Sequence, residues 1–321
     1  MRKADFFIVG APKCGTTAMY EYLAQHPEIF VPSRKEIQFF GTDLYAPRFP
    51  RDPKYYESLF LGATTERRIG EASVWYLYSK RAAREIREYN PAASIIIMLR
   101  NPVDMIHALH SERLYIGTED IENFQDAVDA EDDRKLGLRL PADPYPIEGL
   151  FYHEVGKYTD QVQRFIDVFG WERSKVIIYE DFRADPAEAY RQTCKFLNVD
   201  QSFIPAIRVV NPNKKIRSKG LRNFLNSPSP LLTKIGKPLT TRPLRHAVLN
   251  KLRRLNTNYV PREALSAELK SRLQAHFASD VERLSELLGR DLTVWSNSSQ
   301  NEPESRNRTP LGASVSVTET P

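Results

Sequence analysis

The chain alternates short apolar runs with amphipathic stretches. "DFFIVG", residues 5–10, is apolar and closed by a glycine, and it predicts a buried strand. "TTAMYEYLAQHP" follows as a helix stopped at Pro27, then "EIFVP" as a second short strand. A loop over 33–53 leads to a short helix, "PKYYESLF", and to "RRIGEASVWYLYS", a strand running into a loop. "KRAAREIREYNP" reads as a charged helix ended by Pro91. "SIIIMLRNP" is the strongest strand, an apolar run from Ile95 to Leu99 with Arg100 at its carboxyl end. "PVDMIHALHSERLY" predicts a helix with Pro102 suitably placed in the first turn.

Residues 118–147 are acidic, proline-rich and weakly periodic, an excursion suited to covering a site. "EVGKYTDQVQRFIDVFG" reads as one helix, with Tyr158, Val162, Phe165, Ile166 and Phe169 on a single face and Gly170 closing it. "SKVIIYEDF" predicts a further buried strand and "DPAEAYRQTCKFLNV" a further helix. A basic segment over 211–262 has no clear period. "PREALSAELKSRLQAHFASDVERLSELLG" then carries a long stripe of Leu265, Leu269, Leu273, Phe277, Val281, Leu284 and Leu288. The repeated strand–helix alternation predicts an α/β fold, a three-layer sandwich around a central parallel sheet. One domain is expected over 1–295, followed by a polar, disordered tail over 296–321.

Composition narrows function only a little. The 321 residues are 41% hydrophobic and 27% charged, with a net charge of +5 that suits an anionic ligand without requiring one. No basic run with interleaved aromatics points to nucleic acid. Two cysteines, Cys14 and Cys194, and six scattered histidines form neither a disulfide framework nor a metal-ligand spacing. No apolar run is long enough to span a membrane, and "MRKADFFIVG" lacks a signal-peptide core. A reducing, cytoplasmic setting is the expectation.

The chemistry is concentrated in "VGAPKCGTT". Gly10, Gly15 and Thr16–Thr17 keep the glycine spacing of a phosphate-binding loop, G-x-x-x-x-G-K-[ST], but Thr16 stands where that pattern has lysine. The lysine is Lys13, inside the loop. The main-chain logic of the pattern survives the move: glycines let N–H groups turn inward, and the following helix presents its positive end to an anion. The same glycines, Pro12 and threonine also suit a strand–turn–helix link that binds nothing.

"VGAPKCGTTAMYEYLAQHP" closely resembles the 5′-phosphosulfate loop of the sulfotransferase superfamily, whose members take a sulfuryl group from 3′-phosphoadenosine 5′-phosphosulfate (PAPS). Further segments resemble the family in the same order: "IIIMLRNPVDMIHALHS", "VIIYEDFRADPAEAYRQTCKFLNV", "KIRSKG" and "VERLSELLGRDLTVW". The resemblance implies a nucleotide-binding transferase that needs no metal and acts on an acceptor hydroxyl or amine, the acceptor being a carbohydrate, a glycolipid or another small molecule. It implies that Lys13 meets the leaving 5′-phosphate and its bridging oxygen, within a cradle of Cys14, Gly15, Thr16 and Thr17. It places Arg100 on the 3′-phosphate, where a guanidinium at the carboxyl edge of a parallel strand also suits a phosphate on physical grounds. Glu36, in "SRKEIQFFG", matches the general base of carbohydrate sulfotransferases, especially the heparan N-sulfating type. Arg217, Ser218, Lys219 and Gly220 match the loop that closes over the nucleotide.

Two positions depart from the family pattern. A serine usually stands eight residues after the arginine; here that residue is Ala108, with Ser111 one helical turn further on. A lysine common after the base in glycosaminoglycan enzymes is replaced by Ala72, followed by Trp75, Tyr76 and Tyr78. Two other readings stay open at this point. One is a phosphotransferase using ATP or GTP, suggested by the acids that end "KVIIYED". The other is a degenerate nucleotide binder without catalysis, suggested by Ala108.

Overall fold

The first apolar run forms β1 (Phe6–Gly10), every residue of which is buried. The computed structural model describes residues 2–44, 51–207, 214–226, 248, 249, 251, 252 and 254–296. In chain order β1 is followed by α1 (Thr16–Leu23), β2 (Ile29–Phe30), α2 (Pro53–Ser58), β3 (Arg68–Ala72), α3 (Ala82–Tyr89) and β4 (Ser94–Leu99). Then come α4 (Pro102–Ile116), α5 (Phe124–Asp129), α6 (Glu131–Lys135), α7 (Tyr152–Gly156), α8 (Thr159–Phe169) and β5 (Ser174–Ile178). The chain continues through α9 (Tyr179–Ala184), α10 (Pro186–Leu197), β6 (Lys214–Ile216), α11 (Lys219–Asn226), β7 (Thr257–Tyr259) and α12 (Ala267–Leu288).

The five main strands form one sheet in the order β2-β3-β1-β4-β5, all neighbours parallel. α1 packs with α10 on one face, while α3, α8 and α12 form the other layer. This is the three-layer α/β sandwich expected from the alternation. β1 lies between β3 and β4, and the chain leaves it in opposite directions, so a crevice opens beyond the carboxyl ends of β1 and β4. β6 and β7 make a separate antiparallel pair.

Three elements differ from the sequence pattern, each for a reason distant in the chain. The expected single helix over 154–170 is broken into α7 and α8. Asp280 accepts hydrogen bonds from the N–H groups of Tyr158 and Thr159, capping α8, while the Gln161 amide donates to the carbonyls of Glu154, Val155 and Lys157. The strand read over 174–182 ends at Ile178, and Tyr179 to Phe182 turn into α9. The long helix begins at Ala267 rather than at Pro261, because Ser266 caps it by accepting from the N–H of Leu269. Residues 261–266 therefore stay extended. The polar tail expected over 296–321 lies, from residue 297 on, outside the described residues.

Candidate active site

The loop after β1 is pinned by its main chain. Ala11 donates its N–H to the Met98 carbonyl at 2.6 Å, tying the loop to β4, and Leu77 donates to Val9 at 2.8 Å. Gly10 is required by close approach: a Cβ there would lie 2.6 Å from the Leu77 Cβ and 2.7 Å from the Val74 oxygen. Gly15 caps α1 in a left-handed conformation, φ 86°. The first turn of α1 has neither a capping side chain nor an acidic residue, so its positive end is left for an anion. Thr16 is buried and Thr17 half-buried. The Cys14 thiol points inward, donates to the Pro12 carbonyl at 3.3 Å, and is pushed up to about 12 by burial. At that position only the main chain is free to serve a ligand.

Lys13 leans from the loop to α4, where its Nζ lies 3.0 Å from Glu112 Oε1. Sequence reasoning passed over Glu112, which follows Ser111 on a helix read mainly for its arginine. Glu36 lies in the loop after β2, held against the end of β3 where its N–H donates to the Ala72 carbonyl at 2.9 Å. Its Oε2 accepts from the N–H of Val74 at 3.1 Å, and its Oε1 is ion-paired with Lys35. Val74 belongs to the turn that packs on Gly10, so the loop and the carboxylate share one support.

The backbone at Lys13, Glu36 and Gln38 is left-handed, with φ of 61°, 58° and 54°. Such conformations cost on the order of 1–3 kcal/mol each and persist only where surrounding contacts enforce them. At the Glu36 loop the enforcer is Glu71, a fully buried carboxylate at the end of β3. Tyr56, Tyr76 and Ser73 donate their hydroxyls to it at 3.0, 2.9 and 2.9 Å. Those groups in turn accept from the loop: Ser73 Oγ from the Gln38 N–H, and the Tyr76 hydroxyl from the N–H groups of Phe39 and Phe40. Burial raises the Glu71 carboxyl to about 7 against these three donors, and the Glu36 charge adds to the rise. Tyr76 and the buried Trp75 are thus structural at this turn, while Tyr78 is partly exposed.

Arg100 stands at the carboxyl end of β4. Its guanidinium lies over the Tyr179 ring at 4.7 Å, and its Nη2 is 3.5 Å from the exposed Asp104. Its Nε is buried and has no hydrogen-bond partner among the described residues. Ser111 donates to the His107 carbonyl at 3.0 Å and accepts from Arg262 Nε at 3.1 Å. Ala108 is buried. The late basic loop docks on α4: Tyr115 shares a 2.9 Å hydrogen bond with Thr257, and Arg222 donates to the Leu114 carbonyl. Arg217 is exposed and donates to Asn258, Ser218 is held by Asn256 and caps α11, and Gly220 lies in that helix. Lys219 opens α11, and its side chain lies outside the described residues. The structure thus brings Lys13 to α4 and Arg100, Ser111 and Arg262 to one place, while Arg217 and Ser218 are engaged within their own hairpin.

Residues 3–216 match the sulfotransferase domain family. The chain belongs to that family. A sulfotransferase from Alicyclobacillus acidocaldarius has the same fold, with a TM-score of 0.69 and 30% identity over 92% of this chain and 100% of its own. The bifunctional heparan sulfate N-deacetylase/N-sulfotransferase 3 of Homo sapiens is 27% identical over 208 residues, 62% of this chain and 22% of that protein. Its counterpart numbered 1 in Caenorhabditis briggsae is 24% identical over 212 residues, 61% of this chain and 23% of that protein. This sulfotransferase therefore spans less than a quarter of the curated relatives named here. The acids that made "KVIIYED" look like a metal-binding strand end are engaged otherwise: Glu180 accepts from the Asn101 N–H and Asp181 pairs with Arg290. Among the described residues no cluster of His, Cys, Asp and Glu is arranged to hold a metal, and no helix is long and apolar enough to cross a membrane.

Proposed function

We propose that this sulfotransferase moves the sulfuryl group of PAPS to a hydroxyl or amine of a carbohydrate or another small acceptor. One observation carries the reading: the loop lysine and the uncapped positive end of α1 follow β1, the Arg100 guanidinium follows the neighbouring β4, and the turn that packs on Gly10 holds the Glu36 carboxylate. The donor set fits a nucleotide with phosphate at two ends. The α1 first turn with Thr16 and Thr17 would take the 5′-phosphosulfate, and Arg100 the 3′-phosphate.

In the reaction Glu36 takes the proton of the acceptor as its oxygen or nitrogen attacks sulfur. The bond between sulfur and the bridging oxygen breaks, and its electron pair stays with the departing 5′-phosphate. Lys13 and the loop amides place positive charge where that negative charge develops, so they stabilise the transition state more than the ground state. Relatives named for heparan sulfate N-sulfation support a carbohydrate amine, while Ala72 in place of lysine weakens the case for a polyanionic glycan.

Two measurements bear on this reading. The bisphosphate product, 3′-phosphoadenosine 5′-phosphate (PAP), is expected to stabilise the fold by about 2.7 kcal/mol at a hundred times its dissociation constant. No thermal shift at millimolar PAP would remove the donor assignment, and labelled PAPS offered with a panel of glycans, glycolipids and phenols identifies the acceptor. A second expectation concerns Glu112, which competes with the donor for Lys13. Partly exposed pairs of this kind contribute about 0.2–1 kcal/mol. Glu112→Gln should therefore tighten PAP binding by up to about fivefold in calorimetric titration. Weaker binding in that variant would mean that Glu112 positions Lys13 rather than restrains it.

A further inference from the structure

The extended segment before α12 returns to α4 and delivers one arginine there. Arg262 Nε donates to Ser111 Oγ at 3.1 Å, and Ser111 is itself anchored on the His107 carbonyl. The Arg262 guanidinium lies close enough to Arg100, Asp104 and Tyr179 to feel their charges. Asp104, His107 and Ser111 are spaced i, i+3 and i+7, so they share one face of α4. Two guanidiniums are thus gathered on that face. The charged group facing them from α4 is Asp104, whose carboxylate is 58% exposed and 3.5 Å from Arg100. His107 adds no charge of its own: burial, then the charges of Arg262, His110 and Arg100, lower it to about 3, leaving it neutral near pH 7. Like charges held together repel, and a dianion set between them offsets the repulsion while meeting guanidinium donors in bidentate geometry.

We infer that Arg262 and Arg100 together bind the 3′-phosphate of the donor, so that Arg262 supplies the contact missing at Ala108 and sets the preference for a 3′-phosphorylated nucleotide. This rests on the PAPS reading above. Arg217, matched above to the loop that closes over the nucleotide, is exposed and bound to Asn258 instead. Ser111 then acts as the rest for Arg262, holding its guanidinium on the α4 face.

The test compares PAP with adenosine 5′-phosphate, which differs only in lacking the 3′-phosphate, by calorimetric titration of the full chain. The unsubstituted protein should bind PAP more tightly than adenosine 5′-phosphate. Arg262→Gln should weaken PAP roughly ten- to hundredfold while leaving adenosine 5′-phosphate unchanged, since one charged hydrogen-bonding partner of the 3′-phosphate is lost. Retained binding of the monophosphate in that variant shows that the fold and the 5′ end are intact. Arg262→Lys should fall between, keeping the charge but not the fork. Equal weakening of both nucleotides, or no weakening of either, would overturn the assignment of Arg262. An unsubstituted protein that does not distinguish PAP from the monophosphate would instead overturn the donor reading beneath it.

Discussion

Glu36→Gln is expected to lower the rate of transfer by roughly 10²–10⁴-fold while PAP affinity stays unchanged. Glutamine keeps the shape and an oxygen to accept from the Val74 N–H, so the strained loop retains that tie. What it loses is the ability to take a proton from the attacking acceptor. A turnover assay with labelled PAPS, paired with PAP titration, separates the two effects. Normal turnover would remove Glu36 as the base, and loss of PAP binding would mean that the substitution had disturbed the loop rather than the chemistry.

Arg134→Met is expected to destabilise the fold by about 3–5 kcal/mol, read as a lower urea midpoint. Arg134 and Glu119 are both fully buried and joined by two parallel hydrogen bonds of 2.8 and 2.6 Å. Tyr152 donates its hydroxyl to the same carboxylate, as do the N–H groups of Asp120 and Ile121. Burial alone would raise the Glu119 carboxyl, but the bonds from Arg134 and the neighbouring donors outweigh it and hold it below the usual 4.5. A carboxylate depressed in this way contributes stability that is present above pH 4.5 and is lost as the pH falls through its folded value. Removing the arginine strands a buried charge. The double substitution Glu119→Met/Arg134→Met removes both charges and should cost less than Arg134→Met alone. A double variant less stable than the single one would show that Glu119 stabilises the fold through its other donors, Tyr152 and the N–H groups of Asp120 and Ile121, even without the arginine.

The sheet, its helices and the tight glycine turn after β1 were legible because local signals agree. Glycine spacing, apolar runs such as Ile95 to Leu99, and the arginine that follows all act within one strand–helix unit. The buried network around Glu119 was not legible, since 118–147 carries little periodicity and an ion pair leaves no hydrophobic pattern in the sequence. Glu71 looked like one more strand residue. Only the fold shows that two of its three hydroxyl donors, Ser73 and Tyr76, hold the loop of Glu36. The break between α7 and α8 depends on Asp280, more than a hundred positions away, and no local pattern announces such a cap. Arg262 was hidden in a basic segment without a period, 151 positions from the serine that receives it. The shared face of Asp104, His107 and Ser111 was available from spacing alone and is the signal that would have drawn attention to that corner.

The pairing of β1 with β4 has a consequence for how such a site can change. Lys13 hangs three residues beyond β1, and Arg100 follows β4 directly. The two strands pair with Phe6 opposite Ser94 and Ile8 opposite Ile96, step once so that Gly10 meets Ile97, and the loop is tied again where Ala11 meets Met98. The span from one cation to the other is therefore measured out by peptide groups, which every sequence of this fold possesses. Side chains nearby, such as Cys14 and Ala108, can drift without altering that span. A lineage can rewrite the lining of this cleft many times over and still hand down the same ruler.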